Sequence, residues 1–235
     1  MTGDQAPNAN PPGDAVLTVR ALECRRGDRV LFAPISFDVA AGSIVWIRGA
    51  NGQGKTTLLR TLAGLSAPAA GELAWAGAPE LAPRPLYLAH ANALKEDLTV
   101  GESLRFLLHL GGHHVDSGDV DTALERFGMA SRKDAFVRTL SQGQRRRVAL
   151  ARLAAQRELL PWLLDEPFDA LDAAGVELLA GVIAQHARRG LRCSGSGRRN
   201  MRSPHAIAGS CSWTTVGTGA SIGTGRWLVR TTLPP

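Results

Sequence analysis

The sequence predicts an α/β fold on a mostly parallel central sheet, and three observations carry that expectation. Short apolar runs alternate with segments of helical spacing, the pattern of a sheet covered by helices. A β-branched run at residues 43–48 (SIVWIR) feeds a glycine-rich turn and then a helical segment at residues 55–65 (KTTLLRTLAGL). A second apolar run, residues 159–164 (LLPWLL), ends on two adjacent carboxylates, Asp165 and Glu166.

Taken in order, residues 16–19 and 35–39 (ISFDV) alternate in the manner of strands in an antiparallel unit. Residues 43–48 have the composition of a strand buried on both faces. After the helix at 55–65, with Gly64 near its end, residues 86–89 (LYLA) read as a short strand. Residues 99–110 (TVGESLRFLLHL) form an amphipathic helix and residues 119–127 a second, around a loop containing glycine and histidine. A long helix covers residues 141–158, with Ser141 at its N-cap position. The strand at 159–164 and a helix at 173–189 complete the regular part, and no internal repeat is present.

Composition bounds the rest. The chain has 235 residues, 44% hydrophobic and 20% charged, with a net charge of +6. That length suits one domain with a sizeable core. No apolar run reaches the ~18–20 residues that span a bilayer. Residues 1–15 (MTGDQAPNANPPGDA) lack the basic and apolar regions of a secretory signal and read as a disordered tail. Cys24, Cys193 and Cys211 fit neither a zinc site nor a disulfide framework, so a reducing compartment is expected.

The isoelectric point near 10 suggests an anionic partner until the charges are located. Six of the 27 basic residues fall within residues 191–235 (Arg192, Arg198, Arg199, Arg202, Arg226 and Arg230), and none of the 21 acidic ones does. The preceding 190 residues are therefore balanced, and net charge gives no reason to expect a nucleic-acid partner. The same 45 residues are rich in Gly, Ser and Thr and keep no hydrophobic period.

Gly49-Ala50-Asn51-Gly52-Gln53-Gly54-Lys55-Thr56 matches G-x-x-x-x-G-K-[ST], between strand and helix as that motif requires. Its glycines let backbone N–H groups turn inward around phosphate oxygens, and the following helix adds its positive end. Lys55 is expected to reach the β- and γ-phosphates, Thr56 to ligate Mg²⁺ and Thr57 to donate to the α-phosphate. Asp165 is a second Mg²⁺ ligand candidate, and Glu166 the group that polarises the attacking water. Leu140-Ser141-Gln142-Gly143-Gln144 opens the long helix and presents Ser141, Gly143 and Gln144 to an anion.

These three motifs, in this order, make residues 17–190 resemble the ATP-binding subunits of ABC transporters, P-loop NTPases of ABC type. The resemblance implies an antiparallel β subdomain, a small helical subdomain over about residues 91–140, and two subunits packed head to tail. Each ATP then lies between Lys55 of one subunit and Ser141 and Gly143 of the other. Phe168-Asp169-Ala170-Leu171-Asp172 resembles the loop through which Asp172 communicates across that dimer.

Where the family usually carries a glutamine that senses the γ-phosphate, this chain has His90, in a register fixed by Leu98-Thr99-Val100 and Glu102. His90 can donate to phosphate or orient water much as an amide does. That histidine, Leu22-Glu23-Cys24 and residues 57–65 resemble the cytochrome c biogenesis branch of the family. The resemblance implies an ATPase of a haem exporter, peripheral on the cytoplasmic face of the bacterial inner membrane, with integral-membrane permease partners. The aromatic residue that often stacks on adenine is missing near Arg25-Arg26-Gly27, where an arginine can stand in. His109, His113 and His114 read as solvated loop residues.

The resemblance stops near Gly190. Leu191 to Gly197 (LRCSGSG) is expected to be unable to form the family's next buried parallel strand. The family's γ-phosphate histidine position falls near 198–200, and His205 is the only histidine downstream. A change of reading frame near Gly190 accounts for the joint loss of acidic residues, hydrophobic period and family pattern. Two alternatives stay open: a nucleotide-binding module with impaired turnover, and the ATPase of another ABC transporter. Chromosome-maintenance ATPases of the family are disfavoured, because no heptad run separates His90 from Ser141.

Overall fold

The computed structural model of the protein describes residues 15–76, 85–112, 115–156, 160–189, 193–197, 213–214, 221–222, 225–226 and 228–232. In chain order the elements begin with β1 (Ala15–Glu23), β2 (Arg25–Arg26), β3 (Arg29–Val30), β4 (Ile35–Ala40) and β5 (Ile44–Arg48). Helix α1 (Lys55–Leu62), β6 (Ala70–Trp75), β7 (Leu86–Leu88), α2 (Val100–Leu110), α3 (Ser117–Arg126) and α4 (Gln142–Ala154) follow. Then come β8 (Trp162–Asp165), α5 (Ala173–Arg188), β9 (Cys193–Gly197), β10 (Trp213–Thr214), β11 (Ser221–Ile222), β12 (Gly225–Arg226) and β13 (Leu228–Thr232).

The central sheet runs β10-β13-β5-β9-β8-β7. Strands β7, β8, β9 and β5 pair in parallel, and β13 joins β5 antiparallel. A separate antiparallel sheet, β4-β1-β6, is the subdomain that the alternation at 16–19 and 35–39 predicts, and β1 pairs β4 as expected. The predicted strand and helix segments between 43 and 189 all appear, with ends shifted by a few residues; α4 ends at Ala154.

Two cores share the parallel strands. Val45 and Ile47 of β5 and Leu163 of β8 pack with Leu58, Leu59 and Leu62 of α1. Trp162 and Leu164 of β8, on the opposite face, pack with apolar residues of α2, α3, α4 and α5. Successive residues of a strand point to opposite faces, so the continuous run WLLD belongs to both cores at once. The helices begin as their sequences dictate: Thr99 with Glu102, Asp116 with Asp119, and Ser141 with Gln144 each form a reciprocal capping box. Cys24 is free and buried, its thiol donating to Thr61 Oγ1 at 3.5 Å; burial pushes the thiol pKa up.

Strand β6 has no counterpart in the sequence reading. Its sequence, AGELAW, lacks alternation, and it pairs with β1 because Gly71 (φ +84°) admits the neighbouring backbone. A Cβ at Gly71 would lie 2.3 Å from the Ala21 carbonyl oxygen, so only glycine fits there.

One expectation is overturned. Residues 193–197 do form a parallel strand, β9, hydrogen-bonded between β5 and β8. The slot between those strands offers two ladders of backbone donors and acceptors, and a proline-free segment satisfies both whatever its side chains. Alternation and β-branching, which the segment lacks, report side-chain packing rather than this backbone requirement.

Candidate functional site

Parallel strands deliver their following loops to one edge of the sheet, the place where open α/β folds bind ligands. Here β5 delivers residues 49–54, β7 delivers Ala89 and His90, and β8 delivers Glu166.

The first loop is shaped by backbone conformation. Gly52 (φ +77°) and Gly54 (φ +89°) both adopt left-handed geometry, and Gly54 is the N-cap of α1 without a side-chain cap. The first N–H groups of α1 are thus presented by the loop itself, as anion binding requires. Gln53 Oε1 accepts from the Ala50 N–H at 2.8 Å and braces the turn. Lys55 is buried, and its Nζ donates to the carbonyls of Gly49 (2.9 Å) and Ala50 (3.0 Å). Thr56 and Thr57 occupy the first turn of α1 beside it.

At the next two loops the carboxylates meet the histidine. Asp165, 1% exposed, closes β8, and the Tyr87 hydroxyl approaches its Oδ2 at 3.4 Å. Burial, then the Asp165 charge, pushes the Tyr87 pKa up to about 12, so the hydroxyl stays a donor. His90 Nδ1 lies 3.5 Å from Glu166 Oε2 and 3.8 Å from Asp169 Oδ2. His90 itself is mostly exposed, its side chain 63% accessible. The structure therefore brings His90 and Glu166 together across two loops, and adds Asp169, which the sequence reading did not single out.

Backbone strain concentrates here. Among the described residues four non-glycine positions have left-handed φ, and three of them, Ala93, Glu166 and Ala170, sit in these loops. Such conformations cost of order 1–3 kcal/mol each and persist where surrounding contacts enforce them.

Ser141 accepts from the Gln144 N–H at 3.3 Å, and Gln144 Oε1 accepts from the Ser141 N–H at 3.0 Å. Gln144 is thus a capping partner, while Ser141 is exposed at the start of α4. Gly143 abuts the turn after Glu166: a Cβ there would meet the Ala170 carbonyl oxygen at 2.9 Å. Asp172 caps α5 through the Gly175 N–H and pairs with Arg147 of α4 at 2.5 Å. The Arg147 hydrogen bond holds the Asp172 carboxyl below its ordinary pKa.

Arg146, which the sequence does not single out, is brought into the site by α4. It is 2% exposed, and its guanidinium donates to both loops that carry His90 and Glu166. Burial lowers its pKa, opposed by the charges of Asp169, Asp165 and Glu166. A signal existed: Arg146 stands at helical spacing with Ala149, Leu150 and Leu153, on the apolar stripe of α4. Arg152, also buried, donates to the Tyr87 carbonyl at 2.7 Å; burial pulls its pKa to about 10.

Arg25 and Arg26 lie on the exposed β2–β3 hairpin, where Arg25 pairs with Glu23 at 2.9 Å. His113, His114, residues 198–200 and His205 lie outside the described residues.

This geometry has counterparts among known proteins. The ABC transporter family pattern matches residues 32–169, and the chain belongs to that family, as an ATP-binding member. Its curated relatives include the cytochrome c biogenesis ATP-binding export protein CcmA of Dechloromonas aromatica, 47% identical over 175 residues, covering 72% of this chain and 85% of the relative. The protein of the same name from Methylococcus capsulatus is 41% identical over 206 residues, 84% of this chain and 96% of the relative. Among solved structures, a putative ABC transporter ATP-binding protein from Pyrococcus furiosus superposes with a TM-score of 0.69 at 26% identity, covering 80% of this chain and 93% of that one.

Proposed function

We propose that this chain is the ATP-hydrolysing subunit of a membrane exporter serving cytochrome c maturation, with haem as the cargo. The observation that carries the reading is the convergence of the 49–57 loop, His90 and the Asp165–Glu166 pair on one sheet edge, in a chain 41–48% identical to export proteins of that name. Among the described residues no helix is long and apolar enough to cross a membrane. Peripheral attachment to integral-membrane permease subunits, at the cytoplasmic face of a bacterial inner membrane, is the placement that suits such a subunit.

In this reading Lys55 leaves the Gly49 and Ala50 carbonyls for the β- and γ-phosphates, a short swing for a flexible ammonium. The N–H groups of 50–57 cradle the phosphate oxygens. The buried Asp165 carboxylate and the Thr56 hydroxyl are oxygen donors suited to a hard cation. Mg²⁺ held there would neutralise charge building on the phosphates. Glu166 takes the proton of the attacking water, and His90, 3.5 Å away, orients Glu166 or that water. Ser141, exposed at the head of α4, and the half-buried Gly143 are left to bind the nucleotide of a second subunit packed head to tail, across which Asp172 lies.

The composition of residues 191–235 favours a second reading, a nucleotide-binding module with impaired turnover, with residues 16–190 as the family domain and a frame change near Gly190. Independent sequencing across codons 185–200 decides the frame. ATP turnover measured beside nucleotide affinity separates the two functional readings: micromolar binding with no Glu166-dependent hydrolysis belongs to the second.

A further inference from the structure

We infer that Arg146 is a positioning residue that holds the His90 loop and the Glu166 turn as one unit carried by α4. The inference rests on the assignment of His90 and Glu166 to ATP hydrolysis.

The guanidinium divides its donors between the two loops. Nη1 donates to the carbonyls of Ala89 and His90, each at 3.1 Å, and to Asn92 Oδ1 at 3.2 Å. Nη2 donates to the carbonyls of Asp165 at 3.2 Å and Glu166 at 2.8 Å. Four of the five acceptors are main-chain oxygens, so Arg146 fixes the paths of the loops and leaves their side chains to the chemistry. The bond to Glu166 is the shortest of the five, and it falls on the residue whose φ of +46° needs enforcing.

A fold that needed only packing at this point would be served by an apolar side chain. Burying a guanidinium among carbonyls costs desolvation that outweighs the pull of the Asp169, Asp165 and Glu166 charges. Its planar fork reaches two loops at once, which a lysine ammonium cannot reproduce. Arg146 also lies five residues after Ser141, on the same helix. Any shift of α4 when Ser141 meets a second subunit's nucleotide is delivered by Arg146 to His90 and Glu166 together.

The test is hydrogen exchange of the full chain, beside kcat and KM for ATP, in wild type, Arg146→Met and Arg146→Lys. Arg146→Met is expected to speed exchange about tenfold in residues 89–92 and 165–169 alike, leaving 49–54 at its wild-type rate. Turnover should fall about 10- to 100-fold with KM within about threefold, the mark of lost alignment at intact binding. Arg146→Lys keeps the buried charge and should loosen both segments to a lesser degree. Wild-type rates in either segment of Arg146→Met, or equal loosening of 49–54, overturn the inference. If thermal melting shows Arg146→Met unfolded, Arg146→Lys decides alone, and unchanged exchange in both segments refutes the coupling. Glu166→Gln separates the two levels: turnover equal to wild type removes the assignment of Glu166, while the exchange result still judges Arg146.

Discussion

In the proposed function, everything the 49–57 loop offers to phosphate comes from consecutive residues: two left-handed glycines, the Gln53 brace and the first turn of α1. The opposite side of the same edge is assembled from three separate segments. His90 follows β7, Glu166 follows β8, and the guanidinium that ties them belongs to α4. In the proposed function, binding and turnover are therefore built independently. The loop needs one strand and one helix in place, whereas hydrolysis needs a long-range scaffold held to fractions of an ångström.

The contrast is broken most strongly at Lys55. Lys55→Ala removes the ammonium and should weaken ATP affinity by about 100-fold or more, read by titration calorimetry. Equal affinity in the variant would place phosphate binding elsewhere. At His90 the effect is smaller and falls on turnover: His90→Ala should lower kcat about tenfold at unchanged affinity. His90→Gln restores the family's usual residue and should stay within about threefold of wild type. A loss in glutamine as deep as in alanine would mean that this site requires imidazole.

Tyr87→Phe deletes one donor beside Asp165 and should cost about two- to fivefold in turnover. Its pH profile between about 6 and 9 should match wild type, because a hydroxyl with a pKa pushed to about 12 does not titrate there. An inflection in that range present in wild type and lost in Tyr87→Phe would disprove the assignment of Tyr87 as a fixed donor. The smallest effect is at Asp172, whose pKa is depressed by Arg147. The ionised form favours the fold, so its contribution is complete above the ordinary aspartate value near 4 and is lost as pH falls through the lower folded value. Asp172→Asn should therefore melt about 1–3 °C lower at neutral pH and converge with wild type in acid.

The same contrast decides what the sequence discloses. Residues 49–57 carry their function in their order, because a phosphate loop is a local backbone shape written by glycine spacing. The carboxylate pair is legible for a related reason: the apolar run at 159–164 must be a strand, and its end must reach the sheet edge. Arg146 is hidden inside Arg145-Arg146-Arg147, where charge suggests a solvated face. Only its place on the apolar stripe of α4 distinguishes it, and what it bonds to depends on loops far away in the chain. Strand β9 was illegible because its side chains do not mark it; the demand comes from the backbones of β5 and β8. Strand β6 depends on one close approach at Gly71, which no periodicity reports.

Whether this sheet edge hydrolyses ATP through Glu166 is decided by steady-state ATPase of the full chain and of Glu166→Gln, with nucleotide affinity measured on the same samples. Wild type should turn over measurably and Glu166→Gln lose about 100-fold or more, with affinities within about threefold of each other. Equal rates in the two proteins, with ATP still bound, would contradict hydrolysis through Glu166 and leave a nucleotide-binding module without effective turnover.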